Sequence, residues 1–333
     1  MIVTVLGAGY MGSAMAEVSA MQGHEVRLWG TWLDDAMIEA VEARRDHPRL
    51  KKTLSDRVKP FRAAALAEAL AGAELVVHAV SSDGAVPVMQ KAASAIPDVP
   101  ILSVTKGFLP SRAGKMDRID VVSSETAGRP LRFVHAGGPA KAIEIARSVL
   151  TWMEFASASA EDARACAAAM GAPHMRISVS TDIAGAEICS AMKNAYATGL
   201  GLWDGHVGAD CHNARAACFT QALVEMARLV AAGGGQASSV WGAPGAGDLH
   251  VTAAAGRNRA FGERVGKGKP AKQVAAEMLA VGELTEGYPA IATAHRWAKE
   301  RGVEGLPFLD ALHAIVWEGA EVAPTLSALR LST

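Results

Sequence analysis

The sequence lacks several features that would place a protein of this size in a specialised class. No run of about 18 apolar residues free of charge is present, so we expect no membrane partner. Charge of either sign is not in excess, because 34 Asp and Glu residues face 33 Lys and Arg residues, giving a formal net charge of -1 at pH 7. Without a basic excess we expect no nucleic-acid partner.

Cysteine is scarce as well. The four cysteines show no CxxC pair and no framework spacing, and they stand at Cys166, Cys189, Cys211 and Cys218. A chain of 333 residues, half of them hydrophobic, can bury a core without disulfide bonds. The first residues, MIVTVLGAGYMG, enter a strand-like run without a charged leader. We therefore expect reduced thiols, a cytoplasmic protein and, from its length, two domains.

Strand and helix signals alternate along the first half of the chain. Apolar runs typical of strands stand at 2–6, 25–30, 74–80, 100–107 and 131–137. Helix-forming, alanine-rich segments separate several of them, which predicts an α/β fold with a doubly wound parallel sheet covered on both faces. From about residue 185 the sequence is helix-forming. We predict one domain with this sheet over 1–182 and an all-α domain over 183–333.

The turn after the first strand has the GxGxxG spacing, in GAGYMG. The first glycine permits a tight turn, the second lets a pyrophosphate approach the backbone, and the third lets helix and strand pack closely. Backbone N–H groups at the start of the helix then face the phosphates. Strand, helix and second strand are all in place, so we predict dinucleotide binding at Gly7, Gly9, Tyr10, Met11 and Gly12.

The choice between NAD and NADP stays open. An acidic residue after the second strand would bind the ribose 2′-hydroxyl, whereas an arginine would accept a 2′-phosphate. The sequence has Gly30, Thr31 and Trp32 there, and Asp34 and Asp35 come several residues late. The predicted cofactor is therefore NAD or NADP.

Two lysines stand at positions where a charge needs an explanation. Lys193 is the only charged residue between Glu187 and Asp204, in a stretch whose apolar spacing predicts a helix buried on most sides. A buried ammonium must be compensated or have a chemical role. Lys106 ends a predicted strand, where ligands bind in open α/β sheets, although surface lysines are equally common there.

A third polar group lies in the segment GAPGAGDLHVTAAAGRNRAFG, residues 242–262. The guanidinium of Arg257 beside the amide of Asn258 could hold a phosphate from two directions. A solvated turn with Asp248 as a helix cap is the alternative. The segment alone does not decide between them.

Several motifs in register resemble the soluble NAD(P)-dependent sn-glycerol-3-phosphate dehydrogenases. They are GAGYMGSA at the start, VTKG at 104–107, GGPAKAIE at 137–144, STDIAGAEICSAMKN at 180–194, HNARAA at 212–217, GAGDLHVT with GRNRAFG at 245–262, and TEGYPA at 285–290. The resemblance covers nearly the whole chain. It implies a doubly wound, Rossmann-type dinucleotide-binding domain over 1–182 and an all-α substrate and catalytic domain over 183–333. It also implies an active site in the cleft between them and a homodimer.

The resemblance also implies roles for individual residues. Lys193 matches the family's catalytic lysine, and Lys106 matches a second active-site lysine. Asp248 matches an acidic residue that lies beside the catalytic lysine. The implied substrate-binding residues are Asn194, Thr252, Arg257 and Asn258. The residues implied for the cofactor, besides the glycine turn, are Lys106, Arg257 and Glu286. No metal ligand is implied.

The implied reaction interconverts sn-glycerol 3-phosphate and dihydroxyacetone phosphate by hydride transfer. Oxidising a secondary alcohol needs a base for the hydroxyl proton, and a lysine can take that proton and return it to the ketone. Positive charge from Lys193 and Lys106 would stabilise negative charge that develops on the carbonyl oxygen. Arg257 and Asn258 would hold the small phosphorylated substrate at a fixed distance from the reacting carbon.

Two segments differ from the family's usual sequence and keep alternatives open. Lys141, in GPAKAIE, is either a solvated residue or an extra anion contact. His206, Asp210 and His212 stand close together, but without a zinc-binding spacing. The alternatives are a related dehydrogenase acting on another polyol phosphate, a sugar phosphate or a 2-hydroxy acid, and a cofactor-sensing protein without turnover.

Overall fold

A computed structural model describes residues 1–254 and 256–331. Contacts divide the chain into two compact units. The first contains residues 1–106 and 119–183, and the second contains residues 107–118 and the chain from 184 onward.

Ten strands occur among the described residues. In chain order they are β1 (Ile2–Leu6), β2 (Glu25–Trp29), β3 (Val58–Phe61), β4 (Leu75–His78), β5 (Ile101–Ser103), β6 (Leu109–Pro110), β7 (Met116–Asp117), β8 (Phe133–Gly137), β9 (Thr151–Ala156) and β10 (Met175–Ser180). Eight of them form the sheet of the first unit, in the order β10-β9-β8-β5-β4-β1-β2-β3. The short strands β6 and β7 pair with each other in the second unit.

Strand order places the chain reversal of this sheet between β1 and β4. From β1 the chain continues to β2 and β3 on one side, and β4 and β5 follow on the other. In doubly wound sheets the crevice outside the carboxyl ends of the strands at such a reversal is the ligand site. The glycine turn directly follows β1, so the topology puts it at this position.

The predicted α/β class is confirmed, with two differences in the sheet. The prediction missed β3, β9 and β10, because Lys59, Glu154 and Arg176 interrupt their apolar runs. Neighbouring strands pair in parallel except β8 and β9, which pair antiparallel. The sheet is therefore mixed. The strands on both sides of the reversal between β1 and β4 pair in parallel.

Helices of the first unit fill the connections between strands. They are α1 (Tyr10–Met21), α2 (Asp35–Glu42), α3 (Leu66–Leu70), α4 (Ser82–Ala92), α5 (Ile119–Ala127), α6 (Ala142–Ala146) and α7 (Ala160–Ala169). Helix α1 is buried along most of its length. Ser13, Ala14 and Ala16 on this helix are fully buried. Because their side chains are small, the helix can approach the sheet closely.

The second unit is helical apart from the β6–β7 pair. Its helices are α8 (Ile183–His206), α9 (His212–Ala232), α10 (Ser238–Trp241), α11 (Asp248–Ala254), α12 (Arg257–Gly266), α13 (Ala271–Ala280), α14 (Gly287–Glu300), α15 (Pro307–Trp317) and α16 (Val322–Ser327). As predicted from EICSAMKNAYATGLGLWD, α8 is buried on most sides.

Glycines let α8 and α12 cross with their backbones in contact. A Cβ atom on Gly201 would lie 2.2 Å from the carbonyl oxygen of Arg259, and one on Gly262 would lie 2.0 Å from that of Thr198. Either side chain would force the helices apart, because Cβ atoms are not found at such distances. This close crossing brings Asn194 on α8 within hydrogen-bond distance of Asn258 on α12.

The segment 107–118 packs with the second unit, whereas the sequence-based division into 1–182 and 183–333 leaves it in the first domain. The ring of Phe108 stacks on Trp297, with 4.9 Å between centroids. The backbone N–H of Met116 donates to a carboxylate oxygen of Glu300 at 2.7 Å. Both partners lie on α14, far along the chain, so local sequence patterns could not show this association.

Buried His78, at the end of β4, makes the first unit sensitive to acid. Its side chain is fully buried, and Nδ1 lies 3.3 Å from the hydroxyl oxygens of Ser103 and Thr105. Burial lowers the pKa of His78 from 6.5 to about 4. Protonation of His78 therefore favours the unfolded chain. The stability that the neutral ring contributes is fully present above pH 6.5 and is lost as the pH falls toward 4.

We expect this histidine to remove about 3 kcal/mol of unfolding free energy between neutral pH and pH 4. Urea unfolding at a series of pH values measures the loss. His78→Leu, which cannot be protonated, is expected to reduce the acid dependence by that amount. An acid dependence identical in wild type and variant would contradict this account.

Candidate active site

The glycine turn has the geometry that its sequence predicts for a dinucleotide cradle. Gly7 has a φ of +110°, a conformation that favours glycine. A Cβ on Gly12 would lie 2.0 Å from the carbonyl oxygen of Gly7, so only glycine allows the helix to start this close to β1. A Cβ on Gly9 would meet one described atom within 4 Å, a guanidinium nitrogen of Arg49. The turn therefore leaves Gly9 accessible, as a bound pyrophosphate requires.

Exposed Tyr10 and half-buried Met11 open α1 directly after this turn. Their backbone N–H groups belong to the first turn of the helix, where no intrahelical acceptor is available. Such groups suit an anion. The residues present thus fit the pyrophosphate of a dinucleotide.

Asp34, near the end of β2, is engaged within the protein. Its Oδ2 accepts hydrogen bonds from the backbone N–H of Thr31 at 2.9 Å, from the hydroxyl of Thr31 at 2.8 Å and from the N–H of Ala8 at 3.2 Å. The side chain is buried. Asp34 therefore joins the loop that follows β2 to the glycine turn.

Lys106 lies in the first unit, three residues beyond the end of β5, and is half-buried. Neighbouring Thr105 donates its hydroxyl to the carbonyl oxygen of Val80 at 2.9 Å. That bond joins the segment after β5 to the segment after β4. Lys106 and Lys193 belong to different units. That both lysines serve one active site stays a prediction.

Lys193, on α8, forms a nearly buried ion pair with Asp248. The distance from Nζ to Oδ1 is 2.7 Å, Asp248 is fully buried, and the lysine side chain is 12% exposed. Asp248 is the first residue of α11, which directly continues a π-helical turn, Ala243–Gly247. The hydroxyl of Thr252, one turn later, lies 3.5 Å from the same oxygen. Asp248 thus fixes the position of an ammonium that stays in contact with solvent.

Amide side chains connect three helices beside this pair. Asn194 donates from Nδ2 to Glu286 at 3.0 Å and accepts at Oδ1 from Asn258 at 2.8 Å. Asn258 in turn accepts at Oδ1 from the backbone N–H of Gly287 at 2.9 Å. Because every step is a hydrogen bond between buried or half-buried groups, the rotamers of both asparagines are fixed.

Arg257 is the exposed first residue of α12, next to buried Asn258. Asn258 is held by hydrogen bonds to α8 and α14, whereas the guanidinium of Arg257 faces solvent. A fixed backbone carrying a solvent-facing guanidinium suits a phosphate-binding role. The solvated-turn alternative applies to the side chain of Arg257 but not to that of Asn258.

Predicted site residues of the second unit are brought together, and the sequence did not show how. Lys193, Asp248 and Thr252 form one group, and Asn194, Asn258 and Glu286 form the other. The two groups are joined through the adjacent residues Lys193 and Asn194. The sequence prediction missed His47, which contacts the glycine turn in the first unit. Within RRDHPRLKK this histidine has the appearance of a solvated residue, so no local signal distinguishes it.

Lys141 and the group of His206, Asp210 and His212 are where the sequence differs from the family's usual pattern. Lys141 precedes α6, and its Nζ lies 3.9 Å from Glu144 at the surface. Among the described residues, no group of three His, Cys, Asp or Glu side chains could hold a metal ion. None of the helices within residues 1–254 and 256–331 is long and apolar enough to cross a membrane.

Family models match the chain over both units. A model of the NAD-dependent glycerol-3-phosphate dehydrogenase N-terminus matches residues 2–163, and one of the C-terminus matches residues 182–327. The chain belongs to the NAD-dependent glycerol-3-phosphate dehydrogenase family. This membership confirms the family, the oxidoreductase class and the NAD or NADP cofactor class predicted from the sequence.

Individual members of the family match over their full length. The chain is 32% identical to an NADP(+)-dependent glycerol-3-phosphate dehydrogenase of Archaeoglobus fulgidus, covering 99% of each sequence. It is 35% identical to a glycerol-3-phosphate dehydrogenase [NAD(P)+] of Myxococcus xanthus, covering 95% of this chain and 92% of the relative. A crystal structure of glycerol-3-phosphate dehydrogenase from Coxiella burnetii matches with a TM-score of 0.86 at 27% identity, over 98% of both chains.

Proposed function

We propose that this glycerol-3-phosphate dehydrogenase family member interconverts sn-glycerol 3-phosphate and dihydroxyacetone phosphate, with NAD or NADP as hydride carrier. The observation that carries this proposal is the Lys193–Asp248 pair at 2.7 Å, adjoining the fixed asparagines 194 and 258. The pair offers one positioned ammonium on a helix that is buried on most sides. Family membership supports the substrate and the cofactor.

Lys193 is proposed to exchange the proton of the substrate oxygen. When the alcohol is oxidised, the neutral amine takes the hydroxyl proton, and when the ketone is reduced, the ammonium returns it. Asp248 holds Nζ in place and compensates the ammonium charge. The nicotinamide, when bound, accepts or supplies the hydride at C4. Lys106 is proposed as a second positive group near the carbonyl oxygen.

The substrate phosphate is assigned to Arg257 and the residues around it. Asn258 is held through Asn194 and Gly287, so it fixes the backbone on which Arg257 stands. Thr252 and Asn194 complete the proposed substrate-binding set. Glu286 positions Asn194 and is proposed to face the cofactor as well. Binding the phosphate away from the reacting carbon would gain rate by positioning.

We expect Arg257→Gln to raise the KM for dihydroxyacetone phosphate by about 10-fold or more, because a charge-assisted contact to phosphate is lost. The assay follows NADH and NADPH oxidation separately. Dihydroxyacetone without phosphate is the comparison substrate, and its low turnover should be equal in wild type and variant. Arg264→Gln, in the last turn of α12, is the matched control.

The same assay tests the proposed function. Wild-type turnover of keto acids in preference to phosphorylated ketoses would contradict it and favour a 2-hydroxy acid dehydrogenase. Preference for another phosphorylated ketose would keep the chemistry and change the substrate. Cofactor binding without turnover of any phosphorylated ketone would favour the cofactor-sensing alternative.

The homodimer and the cytoplasmic location also belong to this proposal. Exposed apolar side chains at and beyond the end of α13, Leu279, Val281 and Leu284, support a covered surface in the second unit. All four cysteines are buried free thiols, as expected in a reducing compartment.

A further inference from the structure

His47 fastens the loop after α2 to the glycine turn. Its ring is completely buried, and Nε2 lies 3.1 Å from the carbonyl oxygen of Ala8 and 3.0 Å from the hydroxyl of Ser13. On the other side of the ring, Nδ1 accepts from the backbone N–H groups of Arg49 and Leu50, each at 3.3 Å. The Nδ1 acceptor role puts the hydrogen on Nε2, which donates to Ala8. One imidazole therefore binds the backbone of both segments.

Leu50 adds a hydrophobic anchor to this loop. Its side chain is 2% exposed and belongs to the core of the first unit. Burial lowers the pKa of His47, and the positive charge of Arg49 acts in the same direction. A neutral ring keeps the hydrogen-bond pattern intact near pH 7. The loop is thus fixed on both sides of residue 49.

Arg49 lies between these anchors and is exposed. Its Nη1 is 3.7 Å from the position that a Cβ on Gly9 would occupy, and its Cζ is 5.4 Å from the ring centroid of Tyr10. The guanidinium therefore stands over the two residues whose backbone faces the cofactor pyrophosphate. A cation at 5.4 Å from an aromatic centroid is also held by the ring.

Among residues 1–254 and 256–331, Arg49 forms no ion pair with a carboxylate. Asp34 directs Oδ2 into hydrogen bonds with Thr31 and Ala8. Gly30, where an acidic residue would bind a ribose hydroxyl, has no room for a side chain, since a Cβ would lie 2.4 Å from Ile38 Cγ1. The position directly after β2 therefore carries no carboxylate.

We propose that Arg49 binds a phosphate group of the dinucleotide cofactor and that His47 is its positioning residue. The phosphate is either the diphosphate common to NAD and NADP or the 2′-phosphate of NADP. Two N–H groups of a guanidinium match two phosphate oxygens, which gives this contact both charge and direction. The inference rests on the cofactor site proposed at the glycine turn.

Isothermal titration calorimetry of the full-length protein tests this role without relying on turnover. The probes are NADPH, NADH, adenosine 2′,5′-bisphosphate and ADP. Arg49→Gln is expected to weaken binding by about 10-fold or more, the size of a lost charge-assisted contact. Arg49→Lys, which retains the charge but not the fork, should recover part of the loss.

The control is Arg45→Gln, which removes the same charge from an exposed position in the same loop. Its effect should stay within about twofold, because exposed charges are screened over roughly 10 Å. Loss of NADPH and bisphosphate affinity alone assigns the 2′-phosphate. Loss that includes NADH and ADP assigns the diphosphate.

Unchanged affinity of Arg49→Gln for all four probes would overturn the inference. An equal loss in Arg45→Gln would overturn it too, since the effect would then be one of net charge. Wild-type protein that binds none of the probes would overturn the glycine-turn site itself, which is a separate failure.

His47 is tested by a double-mutant cycle. His47→Gln should weaken cofactor binding in the wild-type background and cause little further loss when Arg49 is already glutamine. A purely structural histidine would weaken binding equally in both backgrounds. Thermal unfolding of each variant identifies any that is unfolded, and additive losses would reject the positioning role.

Discussion

Replacing Lys193 with Ala is expected to lower kcat/KM for dihydroxyacetone phosphate by at least about 100-fold, the usual contribution of a positioned general acid or base. The lysine is the cation that Asp248 holds at 2.7 Å, and no neighbouring residue on α8 replaces it. Steady-state kinetics with a saturating reduced cofactor measures the effect. A loss below about tenfold would make the proton-transfer role untenable.

The controls separate chemistry from folding. Lys193→Ala leaves Asp248 buried without its cation, which destabilises the second unit as well. Lys193→Arg keeps a positive charge that can pair with Asp248, but a guanidinium does not give up its proton in proteins. If Lys193 transfers a proton, both variants lose activity while Lys193→Arg retains thermal stability. An active Lys193→Arg enzyme would leave only an electrostatic role.

Glu225 is the site of the second large effect, on stability. This carboxylate on α9 is fully buried and accepts four hydrogen bonds. They come from Gln221 Nε2 at 2.9 Å, the hydroxyl of Tyr196 at 2.8 Å, and the backbone N–H groups of Phe308 at 2.7 Å and Leu309 at 3.0 Å. One side chain therefore joins α8, α9 and the first turn of α15, whose N–H groups have no intrahelical acceptor.

Glu225→Ala is expected to lower the free energy of unfolding by at least about 3 kcal/mol, because several buried donors lose their acceptor. Burial raises the pKa of Glu225, while the hydrogen bonds from Gln221 and its other donors oppose that shift. Urea unfolding at pH 7 measures the loss. Tyr196→Phe, which removes one donor and leaves the carboxylate, should cost much less.

Exposed Glu304 provides the matched control for this prediction. Glu304→Ala should change the unfolding free energy by no more than about 0.5 kcal/mol, as surface substitutions do. Glu225→Gln keeps the volume and one acceptor oxygen, so it should lie between the two. Equal stability of the two alanine variants would contradict the role assigned to Glu225.

Sequence patterns were sufficient where a local rule acts. The GxGxxG spacing gave the cradle at Gly7, Gly9 and Gly12, because each glycine has a steric reason that neighbouring residues impose. The composition around Lys193 predicted its buried helix, since apolar periodicity reflects burial directly. Strands β3, β9 and β10 were missed where polar residues interrupt the apolar run. Their place in the sheet comes from pairing, which a single strand does not encode alone.

Contacts between distant segments were beyond local patterns. The ion pair from Lys193 to Asp248 spans 55 positions, and the bond from Asn194 to Glu286 spans 92. The family resemblance placed Asp248 beside Lys193, but it gave no distance for that pair and no partner for Asn194. The sequence-based division left segment 107–118 in the first domain for the same reason, because the partners of Met116, Glu300 and Arg301, come 184 and 185 positions later.

By itself the sequence determined the fold class and the family, and it predicted the dinucleotide turn and most residues of the candidate site. Only the tertiary structure decided that Asp34 is engaged by the β2 loop, that Asn194 and Asn258 fix each other, and that Arg49 stands over the glycine turn. Local patterns report how each residue is buried within its own helix or strand. Hydrogen-bond partners depend on how α8 crosses α12 and how the loop of His47 folds back on the glycine turn. Packing between distant segments sets both.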